Sequence, residues 1–194
     1  MRITKGQLRT IIRESIRESV SGARRPRLTE STVYSMSMEE LEQILGQHQL
    51  WLDSEEAEGE RADLSNVELR EANLREANFY YANLQDAILE YADLSYAYLG
   101  YAELHRANLR RTDLRYADLE GADLTGADLT GADLGGANLL NANLQGADLQ
   151  GADLNGANLE GAVLLQAQFS SDAVQHLQQH SEWSKWKKEV AISD

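Results

Sequence analysis

The stretch GADLTGADLTGADLGGANLL, residues 121–140, contains four copies of one five-residue unit. The same register continues without a slip over residues 61–170, which makes 22 consecutive repeats. The fourth position is Leu in twenty repeats and Phe in the other two, and the second position is Ala in twenty. A disordered low-complexity tract would not keep this apolar phase, so we interpret residues 61–170 as one folded repeat array.

A period of five matches neither an α-helix nor a single β-strand. On a helix the leucines would step by about 140° and wind around the whole surface, and on a strand they would alternate between faces. A closed coil with five residues on each side satisfies the pattern, because each side then sends one Leu and one Ala into a narrow interior. Neighbouring coils supply the missing hydrogen-bond partners.

These units carry a family resemblance. Tandem A(D/N)LXX units, such as the one that begins Ala122-Asp123-Leu124, resemble those of pentapeptide-repeat proteins. The resemblance implies an all-β solenoid, a right-handed quadrilateral β-helix with four repeats per coil and about five and a half coils in the 22 repeats. We expect flanking α-helices at both ends, because an open coil end exposes unpaired backbone groups and needs a cap.

Composition excludes several classes of protein. The chain of 194 residues has no Cys, so it forms neither a disulfide framework nor a thiolate metal site. Its 32 acidic and 18 basic residues give a formal net charge of −14, which argues against direct nucleic-acid binding by the rod. The sequence contains no pattern of residues typical of a catalytic site, so we expect a non-enzymatic protein without cofactor or metal. His176 and His180 lack a third ligand and are read as surface residues.

Both ends of the array are predicted to carry helices. Residues 37–60 begin with a capping box in which Ser37 is the N-cap and Glu40 follows three residues later. A series at helical spacing follows it, consisting of Met38, Leu41, Ile44, Leu45, His48 and Leu52, with Trp51 beside them. Residues 171–194 are predicted to form a helix from Ser171 or Asp172, containing Val174, Leu177, Trp183, Trp186 and Val190. This helix either caps the rod or forms a homodimer, as the C-terminal segment does in gyrase-binding members of the family.

The N-terminal segment is a separate piece. Residues 1–20 are predicted to form a basic amphipathic helix, and residues 21–36 a flexible linker. The candidate docking residues of the helix are Arg9, Ile12, Arg13, Ile16 and Arg17. The helix could bind a partner, lie on an anionic membrane surface or fold back on the acidic rod. We find neither a signal peptide nor a transmembrane segment, and therefore expect a cytoplasmic protein.

Four repeats per coil stack residues that are twenty positions apart. At the first position, this stacking is predicted for Tyr81 with Tyr101, Tyr96 with Tyr116, Tyr91 with Arg111 and Asp86 with Arg106. The first position is Gly in eight of the last ten repeats, which suits a type II turn, and is never Gly in the first twelve. We therefore predict that the first twelve corners use another turn type.

Two surfaces are candidates for binding. Tyr and Arg, which are enriched in binding hot spots, concentrate in one half of the array, although aromatic stacks could also simply brace corners that lack Gly. The candidate partner-binding residues are Tyr81, Tyr91, Tyr96, Tyr98, Tyr101, His105, Arg106, Arg110, Arg111, Arg115 and Tyr116. An acidic ridge of third-position residues either faces a cationic partner or is an ordinary solvated face; it consists of Asp93, Asp113, Asp133 and Asp153.

Three functions are compatible with the sequence. The first is a protein-binding scaffold rod that contacts an unknown protein partner through its Tyr/Arg-rich half. The second, implied by the family resemblance, is a DNA mimic that binds a type II topoisomerase such as DNA gyrase and modulates or protects it. The third is a structural spacer, bacterial or phage-related, that is anchored by the N-terminal basic helix.

Overall fold

The computed structural model describes residues 34–55, 57–171, 174, 177–178, 183–188 and 190–193. The predicted basic helix with its docking residues, and the linker up to residue 33, lie outside the described residues. His176 and His180 also lie outside them.

Parallel pairing between residues twenty positions apart builds the array. It begins with Asp63 beside Asn83 and recurs at the third position of each repeat, up to Asn143 beside Val163. The strands β3 (Asp148–Leu149) and β4 (Gln168–Ser170) pair with the same offset. Each repeat therefore lies beside the repeat four later, so that one coil has four sides of five residues.

Fourth-position side chains fill the interior of the coils. Each of these Leu and Phe residues is between 0% and 4% exposed, and burying one such side chain contributes about 2 kcal/mol. Most second-position Ala residues are buried beside them. Thr112 replaces Ala at one of these positions, and its hydroxyl donates to the Leu89 carbonyl at 2.8 Å. The inward orientation predicted for Leu and Ala is confirmed.

A side chain completes the backbone hydrogen bonding of each repeat. In residues 126–130 the first four N–H groups donate to backbone carbonyls at 2.7–3.0 Å. The fifth N–H, from Thr130, donates instead to Oδ1 of Asp128 at 3.0 Å. All sixteen repeats with Asp or Asn at the third position make this bond to the N–H two residues on. The preference for Asp and Asn therefore has a structural cause, since both supply the same acceptor atom.

Every corner uses the same kind of turn, so the prediction of a second turn type is wrong. The first-position residue has a positive φ at each corner from Asn66 to Gln166, whether or not it is Gly. In one of these turns the Ala82 N–H donates to the Phe79 carbonyl at 2.8 Å, and Tyr81 has a φ of 64°. A positive φ at the third residue is type II geometry. It costs a residue with a Cβ about 1–2 kcal/mol, which the coil-to-coil hydrogen bonds offset.

Helix α1 (Met38–Asp53) covers the first coil. The capping box is present: Ser37 Oγ accepts the Glu40 N–H at 3.2 Å, and Glu40 Oε2 accepts the Ser37 N–H at 2.8 Å. Leu41 and His48 are buried, but Met38 is exposed and does not belong to the predicted inward series.

A short strand precedes this helix and corrects the linker prediction. Strand β1 (Tyr34–Ser35) pairs in parallel with β2 (Val67–Glu68) in the first coil. The end of the predicted linker is thus a strand, because the open edge of the first coil provides unpaired backbone groups.

The C-terminal prediction also needs correction, because one helix does not run through residues 171–194. Helix α2 (Trp183–Trp186) is a single turn, and strand β5 (Ala191–Ser193) pairs in parallel with β4. The strand extends the ladder beyond the array by satisfying the edge of the last coil. The apolar cap is nevertheless formed, since Val174, Leu177 and Trp186 are buried and Trp186 Nε1 donates to the Ala162 carbonyl at 3.2 Å.

We predict that Asp148→Asn leaves stability nearly unchanged and that Asp148→Ala lowers it by about 1 kcal/mol. Both substitutions remove the charge, but only Ala removes the Oδ1 that accepts the Gln150 N–H at 3.0 Å. Chemical denaturation followed by circular dichroism measures the difference. Equal losses in the two variants would contradict the structural role of the acceptor.

Candidate partner-binding surface

One side of the coil and its two corners collect most of the exposed tyrosines. The third-position column of this side contains Tyr98, which pairs with Asp118 one coil later. Tyr96 and Tyr116 lie at the corner where the side begins, and Tyr81 and Tyr101 at the corner where it ends. We call this surface the tyrosine side; it consists of Tyr81, Tyr96, Tyr98, Tyr101, Tyr116 and the third-position column from Asn78 to Asn158. Arg115 directly precedes Tyr116 at the first of these corners, and the other predicted residues lie elsewhere on the coil.

The corner tyrosines stack in pairs along the rod, as predicted. The rings of Tyr81 and Tyr101 are 5.3 Å apart with an interplanar angle of 24°, and those of Tyr96 and Tyr116 are 5.1 Å apart at 25°. Gly121 makes room for the Tyr101 ring, because a Cβ at position 121 would lie 2.6 Å from that ring. Stacking thus fixes the orientation of four rings that remain partly exposed to solvent.

Tyr98 is the least constrained ring of the surface. It is 55% exposed, and among the described residues it makes no ring contact. It also replaces the Asp or Asn that most repeats have at this position. Between two stacked pairs, Tyr98 is therefore an exposed ring with both faces free of other rings.

Two aromatic residues of this surface were absent from the predicted set. Tyr80 contacts Tyr81 edge-on at 4.5 Å and lies over Gly100, where a Cβ would meet its ring at 2.7 Å. Trp51 of helix α1 contacts Tyr81 edge-on at 6.4 Å. The helical spacing placed Trp51 near the first coil, but only the fold shows which corner it reaches.

Arg106, Arg110 and Arg111 lie at other corners, so the Tyr/Arg set does not form one patch. Arg106 makes two hydrogen bonds to Asp86, at 2.8 and 2.6 Å, and this contact lowers the pKa of Asp86. Arg111 lies 5.7 Å from the Tyr91 ring centroid and donates to its hydroxyl at 3.1 Å, so both predicted stacks are present.

Arg110 and His105 are similarly placed away from the tyrosine side. Arg110 pairs with Asp128 at 3.2 Å and approaches Glu90 at 4.0 Å. His105 precedes Arg106 at the Asp86 corner.

The acidic ridge exists as a column but is partly neutralised. Asp93, Asp113, Asp133 and Asp153 pair in sequence through parallel bridges. Arg115 donates to both carboxylate oxygens of Asp113, at 2.9 and 2.5 Å, and lies 3.5 Å from Asp133. The hydrogen bond from Arg115 lowers the pKa of Asp113. At the centre of the ridge, the carboxylates are therefore paired with Arg115 of the same chain.

Charge divides the array along its length. All seven arginines of residues 61–170 lie in residues 61–115 with nine acidic residues, whereas residues 116–170 contain eight acidic residues and no basic one. We call residues 116–170 the acidic half. Within the described residues there is no group of three metal-ligating side chains, and no helix is long and apolar enough to cross a membrane.

Comparisons with known proteins give the following matches. The family model for pentapeptide repeats matches residues 60–95, 87–126 and 122–161, in eight copies. A comparison with curated proteins gives no match.

Three solved structures match over 60–61% of their own length. A pentapeptide repeat protein, Rfr23, from the cyanobacterium Cyanothece 51142 is 46% identical over 45% of this chain and 60% of its own, with a TM-score of 0.45. HetL from Nostoc sp. strain PCC 7120, described as involved in heterocyst differentiation regulation, is 38% identical over 56% of this chain and 60% of its own, with a TM-score of 0.33. QnrB1, a plasmid-mediated fluoroquinolone resistance protein, is 24% identical over 57% of this chain and 61% of its own, with a TM-score of 0.28.

His48 connects the cap to the aromatic residues of the surface. It is fully buried, accepts the Ala62 N–H at Nδ1 at 3.2 Å, and stacks on Trp51 at 5.7 Å. Because Nδ1 accepts a hydrogen bond, the ring is neutral. Burial lowers the pKa of His48 below its usual value.

We predict that the free energy of unfolding falls as the pH drops from about 7 to about 5. The unfolded chain binds a proton at His48 in this range, whereas the folded chain resists it, so acid favours unfolding by up to about 1.4 kcal/mol per pH unit. Denaturation of the His48→Gln variant at several pH values should show a smaller loss of the free energy of unfolding over this pH range. His105→Gln, at an outer corner, is the control and should retain the original profile. Identical profiles for the two variants would contradict this role of His48.

Proposed function

Because the chain belongs to the pentapeptide-repeat family, we propose that it is a non-enzymatic protein-binding rod that contacts its partner through the tyrosine side. The observation that carries the proposal is the exposure of five tyrosines, 41–59% each, on one side and its corners. Large exposed aromatic surfaces on a folded protein are characteristic of interaction sites.

Physical properties of the tyrosine side support this function. Tyr offers a large amphipathic contact area with few rotatable bonds, so little conformational entropy is lost on binding. The stacked pairs Tyr81–Tyr101 and Tyr96–Tyr116 are already ordered in the chain itself. The hydrogen-bonded coils beneath them hold the backbone at fixed spacing. A partner therefore meets a surface that is largely organised before binding.

We expect a photo-crosslinking residue at position 98 to form one discrete adduct with a partner protein in the native cell. The same residue at position 88 is the matched control, because Ile88 is also a third-position residue but lies on another side of the coil. The double variant Tyr96→Ala/Tyr116→Ala should reduce the adduct at position 98 at least about tenfold, since hot-spot tyrosines contribute most of the binding energy. Equal adducts at positions 88 and 98, or no effect of the double variant, would contradict the proposal.

A second function is favoured by the acidic half. Its eight carboxylates without a basic residue give this half a net negative charge, as a mimic of duplex DNA requires. A type II topoisomerase such as gyrase would meet this half with its cationic DNA-binding surface. The candidate surface for this function is the acidic half apart from Asp128 and Asp133, which Arg110 and Arg115 approach at 3.2 and 3.5 Å.

We predict that, if this second function holds, a stoichiometric excess of the protein inhibits supercoiling by gyrase, and that added salt weakens the effect. Replacing Asp118, Asp123 and Asp148 with Asn preserves each Oδ1 acceptor while removing three charges, so the fold is retained. This triple variant should inhibit less than the original chain. No inhibition by the original chain would exclude the mimic.

A further inference from the structure

The tyrosine side combines exposed rings with carboxylates that form no salt bridge among the described residues, although Glu120 Oε1 accepts the Tyr101 hydroxyl at 3.4 Å. Tyr98 is paired across the coils with Asp118, and Glu120 follows two residues later at the corner that carries Tyr101. Asp118 uses Oδ1 for hydrogen bonds from Asn138 and the Glu120 N–H. Neither carboxylate lies within 4.0 Å of a basic group in the described part of the chain. No basic residue follows Arg115 in the array, so this part of the surface has net negative charge.

The chain itself shows which cation fits its corner tyrosines. The guanidinium of Arg75 lies 4.4 Å from the centroid of the Tyr96 ring. Arg111 occupies the same relation to Tyr91 at another corner, at 5.7 Å. In both cases the arginine reaches the ring from a neighbouring coil, and the flat group is attracted by the electrons of the aromatic face.

Among the residues that the structure describes, no cation lies over the Tyr98 ring. Its ring is exposed, and Arg75 is already placed over Tyr96. A guanidinium from outside can stack on the Tyr98 ring while it donates hydrogen bonds to Asp118 or Glu120, because Arg carries planar donors in a fixed arrangement. A lysine ammonium is compact and more strongly hydrated, so it gains less from the same surface.

We infer that the tyrosine side binds arginine side chains of a basic segment in its partner, with Tyr98 as the stacking residue and Asp118 and Glu120 as the acceptors. This inference rests on the proposed protein-binding function and specifies the chemistry of the partner. It differs from DNA mimicry, because the aromatic ring distinguishes arginine from lysine whereas charge alone does not.

Calorimetric titration of the full chain with two peptides tests the inference. One peptide alternates arginine with serine, and the other alternates lysine with serine. At about 150 mM salt, we expect the arginine peptide to bind about threefold to tenfold tighter, since guanidinium stacking survives screening better than simple charge attraction. Equal affinities for the two peptides would overturn the inference.

Variants locate the binding on the surface. Tyr98→Ala should weaken binding of the arginine peptide about fivefold, and Tyr98→Phe should change it less than about twofold, because the ring is retained. Tyr91→Ala is the matched control, since Tyr91 is similarly exposed but lies at another corner and already holds Arg111. The double variant Asp118→Asn/Glu120→Gln should weaken binding and reduce its salt dependence. Equal effects of Tyr98→Ala and Tyr91→Ala would overturn the assignment to the tyrosine side.

The basic N-terminal segment of the same chain is tested as a competing occupant. Replacing Arg9, Arg13 and Arg17 with Gln in the full chain should leave the affinity for the arginine peptide unchanged. A gain of about tenfold would show that this segment occupies the tyrosine side, and would overturn the assignment to a partner.

Failure of the proposed function is distinguishable from failure of this inference. If a partner crosslinks at position 98 but the two peptides bind with equal affinity, the protein-binding function stands and only the inference about arginine is overturned.

Discussion

The fold depends on one constraint: each side of a coil has only five residues in which to fill a narrow interior and satisfy five backbone N–H groups. Leu and Ala meet the first requirement, and the interior leucines are almost fully buried. Neighbouring coils and the turns meet four of the N–H groups, and the carboxyl or amide oxygen of the third residue meets the fifth. A repeat that fulfils both conditions leaves only its remaining outward positions free to vary, so any partner must be recognised there.

The same constraint explains why acidity alone is weak evidence for function. Asp and Asn are equivalent acceptors for the N–H two residues on, so a high count of Asp is compatible with a purely structural role. The ridge from Asp93 to Asp153 illustrates this, because Arg115 pairs with two of its members. The absence of any basic residue from the acidic half is more informative, since nothing in the hydrogen bonding requires it.

The aromatic residues show how side chains compensate for backbone strain and create a surface at the same time. The corner tyrosines adopt a positive φ that Gly would accept more readily, and stacking between coils contributes about 0.5–1.5 kcal/mol per pair in return. At the start of the rod the series continues from Tyr81 to Trp51 and the buried His48. The cap and the tyrosine side are therefore physically connected, and loss of the cap removes packing from the first corner tyrosine.

The sequence by itself determined the repeat, the inward Leu and Ala and the capping box at Ser37, because each is a local or strictly periodic signal. The stacking of residues twenty apart followed from the family resemblance, which implies four repeats per coil. The sequence did not determine the corner geometry, since the ladder holds residues such as Tyr81 in a conformation that their side chains disfavour. The strands at both ends also escaped prediction, because Tyr34–Ser35 and Ala191–Ser193 are strands only beside a coil edge that pairs with them. The tertiary structure alone decided which tyrosines share a surface: closing a coil every four repeats separates neighbours such as Arg110 and Arg111 from Tyr98, and brings Tyr98 beside Asp118.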